Sequence, residues 1–150
     1  MNQIASKGQN VKAALIKAID DDTSAFDQVI KAMRMPKDTD ADKKSRETAM
    51  QEGYQIATQV PLETVEHCRD ALQICSEISK LMDDGMASDV GSGALMANAG
   101  AKAAAYNVRI NLKSIKNKKF CKATGNELGK LIDECNLLTE LVIQNVDKTL

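Results

Sequence analysis

Few side chains in this 150-residue sequence have an obvious capacity for chemistry. Asp22 is the first. It is an acid on an otherwise apolar stripe, Val11, Leu15, Ala18, Asp22, Phe26, Val29 and Met33, spaced as one face of a helix. Two roles fit it. Either Asp20, Asp21 or Asp22 caps a new helix starting near Thr23, or the Asp22 carboxylate points into a site, since unpaired acids are seldom buried elsewhere. The one histidine, His67, lies beside an apolar face; its pKa suits proton transfer, but a lone helical histidine is more often a surface or core residue. Cys68 and Cys75 are seven apart, and Cys121 and Cys135 fourteen apart, which is helical core spacing and not zinc or disulfide spacing. No nucleophile motif, phosphate loop or metal-ligand pattern is present, so no metal is expected.

The stretch SDVGSGALMANAGAKAAAYNVRINLKSIK, 88–116, has the most unusual pattern. Gly93, Ala97, Gly100 and Ala104 recur in steps of four, three and four, and Asn107 and Asn111 continue the register. One helix face is therefore smooth and then polar. Glycine costs about 0.8–1.0 kcal/mol relative to alanine in a helix interior, so this face predicts close approach of another helix, within the chain or across a subunit contact, or a slot for a flat ligand. Leu95, Lys102, Tyr106, Arg109 and Lys113 form a second stripe.

The elements that must position these groups read as about five long helices. The first spans about 4–33 and ends before Pro36. Thr39 or Asp40 caps a second over about 41–59. Pro61 suits the first turn of a third, about 61–83, striped by Val65, Cys68, Leu72, Cys75 and Met82. Gly85 is placed for a left-handed cap at its end, and Ser88 or Asp89 caps the fourth. Asn117 separates this from the last, about 118–148, with Gly125 a point of interruption. Short loops favour antiparallel neighbours, and the fold class is an all-α antiparallel bundle, expected to be oligomeric.

Composition agrees. Aromatic content is 3% with no Trp, against an all-β domain or a base-stacking surface. Twenty basic and 21 acidic residues nearly cancel, against a nucleic-acid partner. No apolar run reaches membrane-span length, and MNQIASKGQN does not resemble a signal peptide, so the expected location is cytoplasmic. Residues 1–150 read as one domain.

Four runs, in order, supply more than pattern: DDDTSAFDQVIKAMRMPKDT (20–39), RETAMQEGYQIATQVPLETVE (46–66), SDVGSGAL (88–95) and NVRINLKSI (107–115). Together they resemble the cyclodeaminase family, which includes the cyclodeaminase domain of formiminotransferase-cyclodeaminase and a bacterial methenyltetrahydrofolate cyclohydrolase. The resemblance implies an all-helical homodimer or higher oligomer with a folate site near a subunit interface. It implies either conversion of formiminotetrahydrofolate to methenyltetrahydrofolate and ammonia, in histidine breakdown, or hydrolysis of methenyltetrahydrofolate to formyltetrahydrofolate. The competing reading is a non-catalytic helical assembly module that kept the bundle and lost the site.

Both reactions pass through a tetrahedral carbon between two folate nitrogens and need a proton donor or acceptor beside the leaving group. Asp89, Asp22 and Glu52, acids lying within the matching runs, are the expected catalytic groups. Arg46, Arg109 and Lys113 are placed to hold the glutamate tail, and Gln51, Asn107 and Asn111 offer amides for a pterin edge. The tetrahydrofolate derivative is the substrate.

One departure stands against the family pattern. The family's domain opens with a Pro-Gly-Gly-Gly-Ser motif well upstream of the first matching run, and nothing here matches it. The expectation is that these 150 residues alone turn over neither folate and self-associate through an uncovered apolar stripe.

Overall fold

The computed structural model describes residues 2–150, almost all of them in four helices: α1 (Asn2–Met33), α2 (Asp40–Ser79), α3 (Asp84–Leu112) and α4 (Lys118–Thr149). The expected all-α, antiparallel arrangement is borne out. Consecutive helices reverse direction, and α4 packs on both α3 and α2, whereas α1 packs on α2 alone. The main core is formed by Leu62, Val65 and Leu72 of α2, Ala94, Ala101, Ala105 and Val108 of α3, and Leu128, Cys135 and Val142 of α4. A smaller cluster of Ala25, Val29 and Ala57 joins α1 to α2.

The helix count is four and not five, because α2 runs for 40 residues through Pro61. Proline at 61 has no N–H, so the carbonyl of Ala57, four residues earlier, loses its helical donor. A buried acceptor left in that state costs about 1–3 kcal/mol. The side chain of Asn111 on α3 replaces the missing donor: its Nδ2 donates to the Ala57 carbonyl at 2.8 Å. Two threonines bracket the break, Thr58 donating to the Tyr54 carbonyl at 2.6 Å and Thr64 to the Val60 carbonyl at 3.0 Å.

Helix ends differ from expectation in three further places. α1 continues through Asp20–Asp22; Thr23 donates to the carbonyl of Ile19 and Asp21 pairs with Lys17, so none of these acids is a cap. α3 begins at Asp84 behind the extended residue Asp83, so Ser88 and Asp89 lie inside the helix and Gly85 has no left-handed backbone. Gly125 does not interrupt α4. The cap at Thr39 is as expected, and Asn117, expected only as the break between two helices, also caps α4. Thr39 and Asp42 form a reciprocal capping box, and Asn117 accepts from the Phe120 N–H at 3.1 Å. The Thr39 hydroxyl, and then its backbone N–H, hold the Asp42 carboxyl below its ordinary range.

The smooth face of α3 lies against α2 of the same chain. A Cβ placed on Gly100 would sit 3.4 Å from Cys68 Sγ, and one on Gly93 3.7 Å from Cys75 Sγ. Cys68 and Cys135 are buried as free thiols, and burial pushes the Cys135 thiol up to about 11. The expected core role of this cysteine spacing is borne out at these two positions.

Candidate active site

Asp22 comes to the surface where α1 passes the C-terminal half of α3, with α2 as the floor between them. The resulting groove, about 290 Å³, is lined by Asp22 and Phe26 from α1, Tyr54 and Ala57 from α2, and Asn107, Ile110, Asn111 and Ser114 from α3 and its following turn. That volume lies near the lower end for ligand clefts. Its wall is mixed, with a carboxylate, a phenol and two amides set among the partly exposed side chains of Phe26 and Ile110. Asn107 and Asn111 are one helical turn apart, so both lie on the same face of α3. The Asn111 amide nitrogen is already engaged with Ala57.

The other sequence-selected residues fall elsewhere. Gln51 uses both ends of its amide on the α3–α4 turn, donating to the Ser114 carbonyl at 2.9 Å and accepting from the Lys116 N–H at 2.7 Å. It fixes the rim of the groove. Arg46 donates through Nε to the carbonyl of Met33 at 3.1 Å, closing the C-terminal end of α1. Glu52 is exposed and lines a separate groove with Gln28, Lys31, Met35 and Ile56. Arg109 is exposed and stacks over Tyr106 at 5.9 Å, and Lys113 is exposed at the end of α3. Asp89 lies eighteen residues before Asn107 on the same helix, about 27 Å away at 1.5 Å per residue. The structure therefore brings together Asp22, Asn107 and Asn111, and does not bring Asp89 or Glu52 to them.

Sequence reasoning does not single out Tyr54 or Ser114. Tyr54 occupies a position of the α2 apolar stripe, and only its hydroxyl in a matching run marks it as more than core. Ser114 has no signal of its own, because its contribution depends on the turn that Gln51 holds. Among the described residues no group of three or more His, Cys, Asp or Glu side chains is arranged to hold a metal ion.

Fold and groove together define a helical-bundle protein with a polar, carboxylate-bearing cleft between two helices. Residues 1–130 match the formiminotransferase-cyclodeaminase family, and the chain belongs to it. It is 32% identical over 146 residues to the methenyltetrahydrofolate cyclohydrolase of Methylorubrum extorquens, covering 97% of this chain and 70% of that protein. To the formimidoyltransferase-cyclodeaminase of Sus scrofa it is 31% identical over 135 residues, 90% of this chain and 25% of that protein. The crystal structure of formiminotetrahydrofolate cyclodeaminase from Thermotoga maritima superposes with a TM-score of 0.81 at 21% identity, covering 93% of this chain and 66% of that one. That likeness establishes the shared helical fold. The chain thus spans about two thirds of two of these relatives and a quarter of the third. The family resemblance carried by the four sequence runs is confirmed.

Proposed function

We propose that this chain acts on a one-carbon-substituted tetrahydrofolate, as a cyclodeaminase that closes formiminotetrahydrofolate to methenyltetrahydrofolate with loss of ammonia. The observation that supports this most is the placement of Asp22, from one matching run, in the same groove as Asn107, from another. In the reaction, N10 of the folate attacks the formimino carbon. The resulting tetrahedral carbon expels its exocyclic nitrogen as ammonia, which must first gain a proton. Asp22 is the general acid–base, taking the N10 proton and returning one to the departing nitrogen. Asn107 presents an amide donor and acceptor to the pterin edge.

A second reading is supported by the cyclohydrolase relative, which aligns with nearly the whole chain. Here Asp22 accepts a proton from water as it adds to the methenyl carbon and returns it to N5 as the C–N5 bond breaks; the hydroxyl proton is lost to solvent as the formyl C=O forms, leaving formyltetrahydrofolate. The same carboxylate serves both, because both cross a tetrahedral carbon between N5 and N10.

Exposed apolar residues on α1 (Ile16, Ile19 and Phe26) and on α3 (Tyr106 and Ile110) support a homodimer whose contact borders the groove. No helix among the described residues is long and apolar enough to cross a membrane, and the proposed setting is the cytoplasm. Purified chain assayed side by side with formiminotetrahydrofolate and methenyltetrahydrofolate separates the readings. Ammonia release from the first supports the cyclodeaminase, and loss of the methenyl chromophore alone supports the cyclohydrolase; folate binding without turnover matches the expectation from the unmatched Pro-Gly-Gly-Gly-Ser motif, and neither binding nor turnover supports the assembly module.

A further inference from the structure

We infer that Asn111 is a positioning residue, which sets the width of the Asp22 groove by supplying the donor that Pro61 withholds from Ala57. The inference deepens the folate reading and rests on it for its catalytic half.

Both walls of the groove are referenced to one short piece of α2. The α1 wall is set at Gly53, where a Cβ would meet Val29 Cγ2 at 3.3 Å and the Val29 backbone at 3.4 Å. The α3 wall is set one helical turn later, where Asn111 Nδ2 reaches the Ala57 carbonyl at 2.8 Å. Since α1 packs on α2 alone, no direct helix packing fixes α1 relative to α3. The spacing between Asp22 and Asn107 is therefore set through α2, and these two contacts are the parts of that packing that adjoin the groove. Asn107 shares a helix face with Asn111, so a shift of Asn111 on α2 moves Asn107 with it. An error of about 1 Å in placing reacting groups can cost about a hundredfold in rate.

Pro61 gives this role a particular signature. In an ordinary helix the Ala57 carbonyl would already accept from the N–H of residue 61, and a bond from α3 would be an optional second one, like those of Thr58 and Thr64 to their helix carbonyls. With proline at 61 that carbonyl has no helical donor, so the bond from Asn111 is needed to pair it. The bond to Ala57 uses one of the two Nδ2 hydrogens of Asn111, so a ligand contact through the other is compatible with it, and experiment must separate the two roles.

A double-mutant cycle with Asn111→Ala and Pro61→Ala decides the matter in the full chain, read by denaturant unfolding and by kcat and KM for whichever folate the wild type turns over. Asn111→Ala is expected to lower the unfolding midpoint and to lower kcat by tenfold or more. Pro61→Ala alone is expected to keep kcat near wild type and to raise the midpoint, since alanine is the better residue inside a helix. In the double variant the restored backbone N–H at position 61 satisfies Ala57, so the midpoint and most of kcat should return. Two results overturn the inference. If Asn111→Ala lowers the midpoint as much in the Pro61→Ala background as in wild type, the bond is not what Pro61 makes necessary. If its stability returns but kcat does not, Asn111 touches substrate and does not merely position. Wild type without turnover of either folate would defeat the proposed activity; the unfolding half of the cycle would still decide the Asn111–Pro61 link.

Discussion

Gly53 on α2 lies against the backbone of Val29 on α1, so close that a methyl group there would meet Val29 Cα and N at 3.4 Å and its Cγ2 at 3.3 Å. Val29 is fully buried and Gly53 is buried with it. The contact is the tightest helix approach involving a glycine in the described structure. Gly53→Val should cost about 1–3 kcal/mol, as overpacking does, and should push α1 outward, because a backbone yields less readily than a side-chain tip. Urea unfolding checks the cost. An unchanged midpoint would show that α1 has slack there.

The glycines of α3 and α4 should respond oppositely to enlargement. Gly100→Leu has Cys68 Sγ in its path and should cost about 1–3 kcal/mol. Because the neighbour is in the same chain, unfolding should be affected before assembly. A methyl group on Gly125 or Gly129 would have nothing within 4 Å, so alanine at either should gain about 0.8–1.0 kcal/mol from helix propensity. Thermal melts of the three variants, together with sizing by light scattering, test this set.

Asp22 and Asp89 make a matched pair for catalysis. Asp22→Asn should lower turnover by about 10²–10⁴-fold, the usual contribution of a positioned acid–base group. Asp89→Asn, about 27 Å along α3 from Asn107 at 1.5 Å per residue, should change it little. Steady-state rates for both in an active family member bearing these segments would reveal a reversed order, which would move the site to the other end of α3.

Glu66 supplies a pH signature. Burial, and then the negative charge of Glu127, raise its carboxyl above the ordinary value of 4.5. The folded state therefore holds this proton more tightly than the unfolded one. Its contribution to stability is present below the unfolded pKa and is lost as pH rises through the raised folded pKa. Glu66→Gln removes that loss, so the variant should gain on wild type from acid to neutral pH. Unfolding midpoints measured across that range should show the difference growing; a constant difference would mean that Glu66 titrates alike in both states.

In sequence, α1, α3 and α4 are readable because their stripes are long and regular, and the cap at Thr39 is readable because a capping side chain acts on its own first turn. Pro61 misleads for a non-local reason. Whether a proline stops a helix depends on whether its orphaned carbonyl finds a donor, and that donor sits fifty residues further along, on Asn111. The site is half legible. Asp22 stands out as a carboxylate on an apolar stripe, and Asn107 and Asn111 as the polar end of a small-residue face. Gln51 and Arg46 offer the same chemistry by type, but their polar groups are engaged with Ser114, Lys116 and Met33. Residue type alone does not distinguish a free amide from one that holds a loop.

That α1 is held by a single neighbour gives a bound folate a mechanical part to play. A molecule touching both Asp22 and Asn107 would bridge two helices that otherwise do not pack together, acting as a non-covalent cross-link. Ligand at a hundred times its Kd stabilises the state it binds by about 2.7 kcal/mol. Here that energy should fall on the detachment of α1 and not be spread evenly. Amide exchange in α1 should slow on binding while exchange in the core of α4 stays as it was, so the helix supplying the carboxylate would also report occupancy.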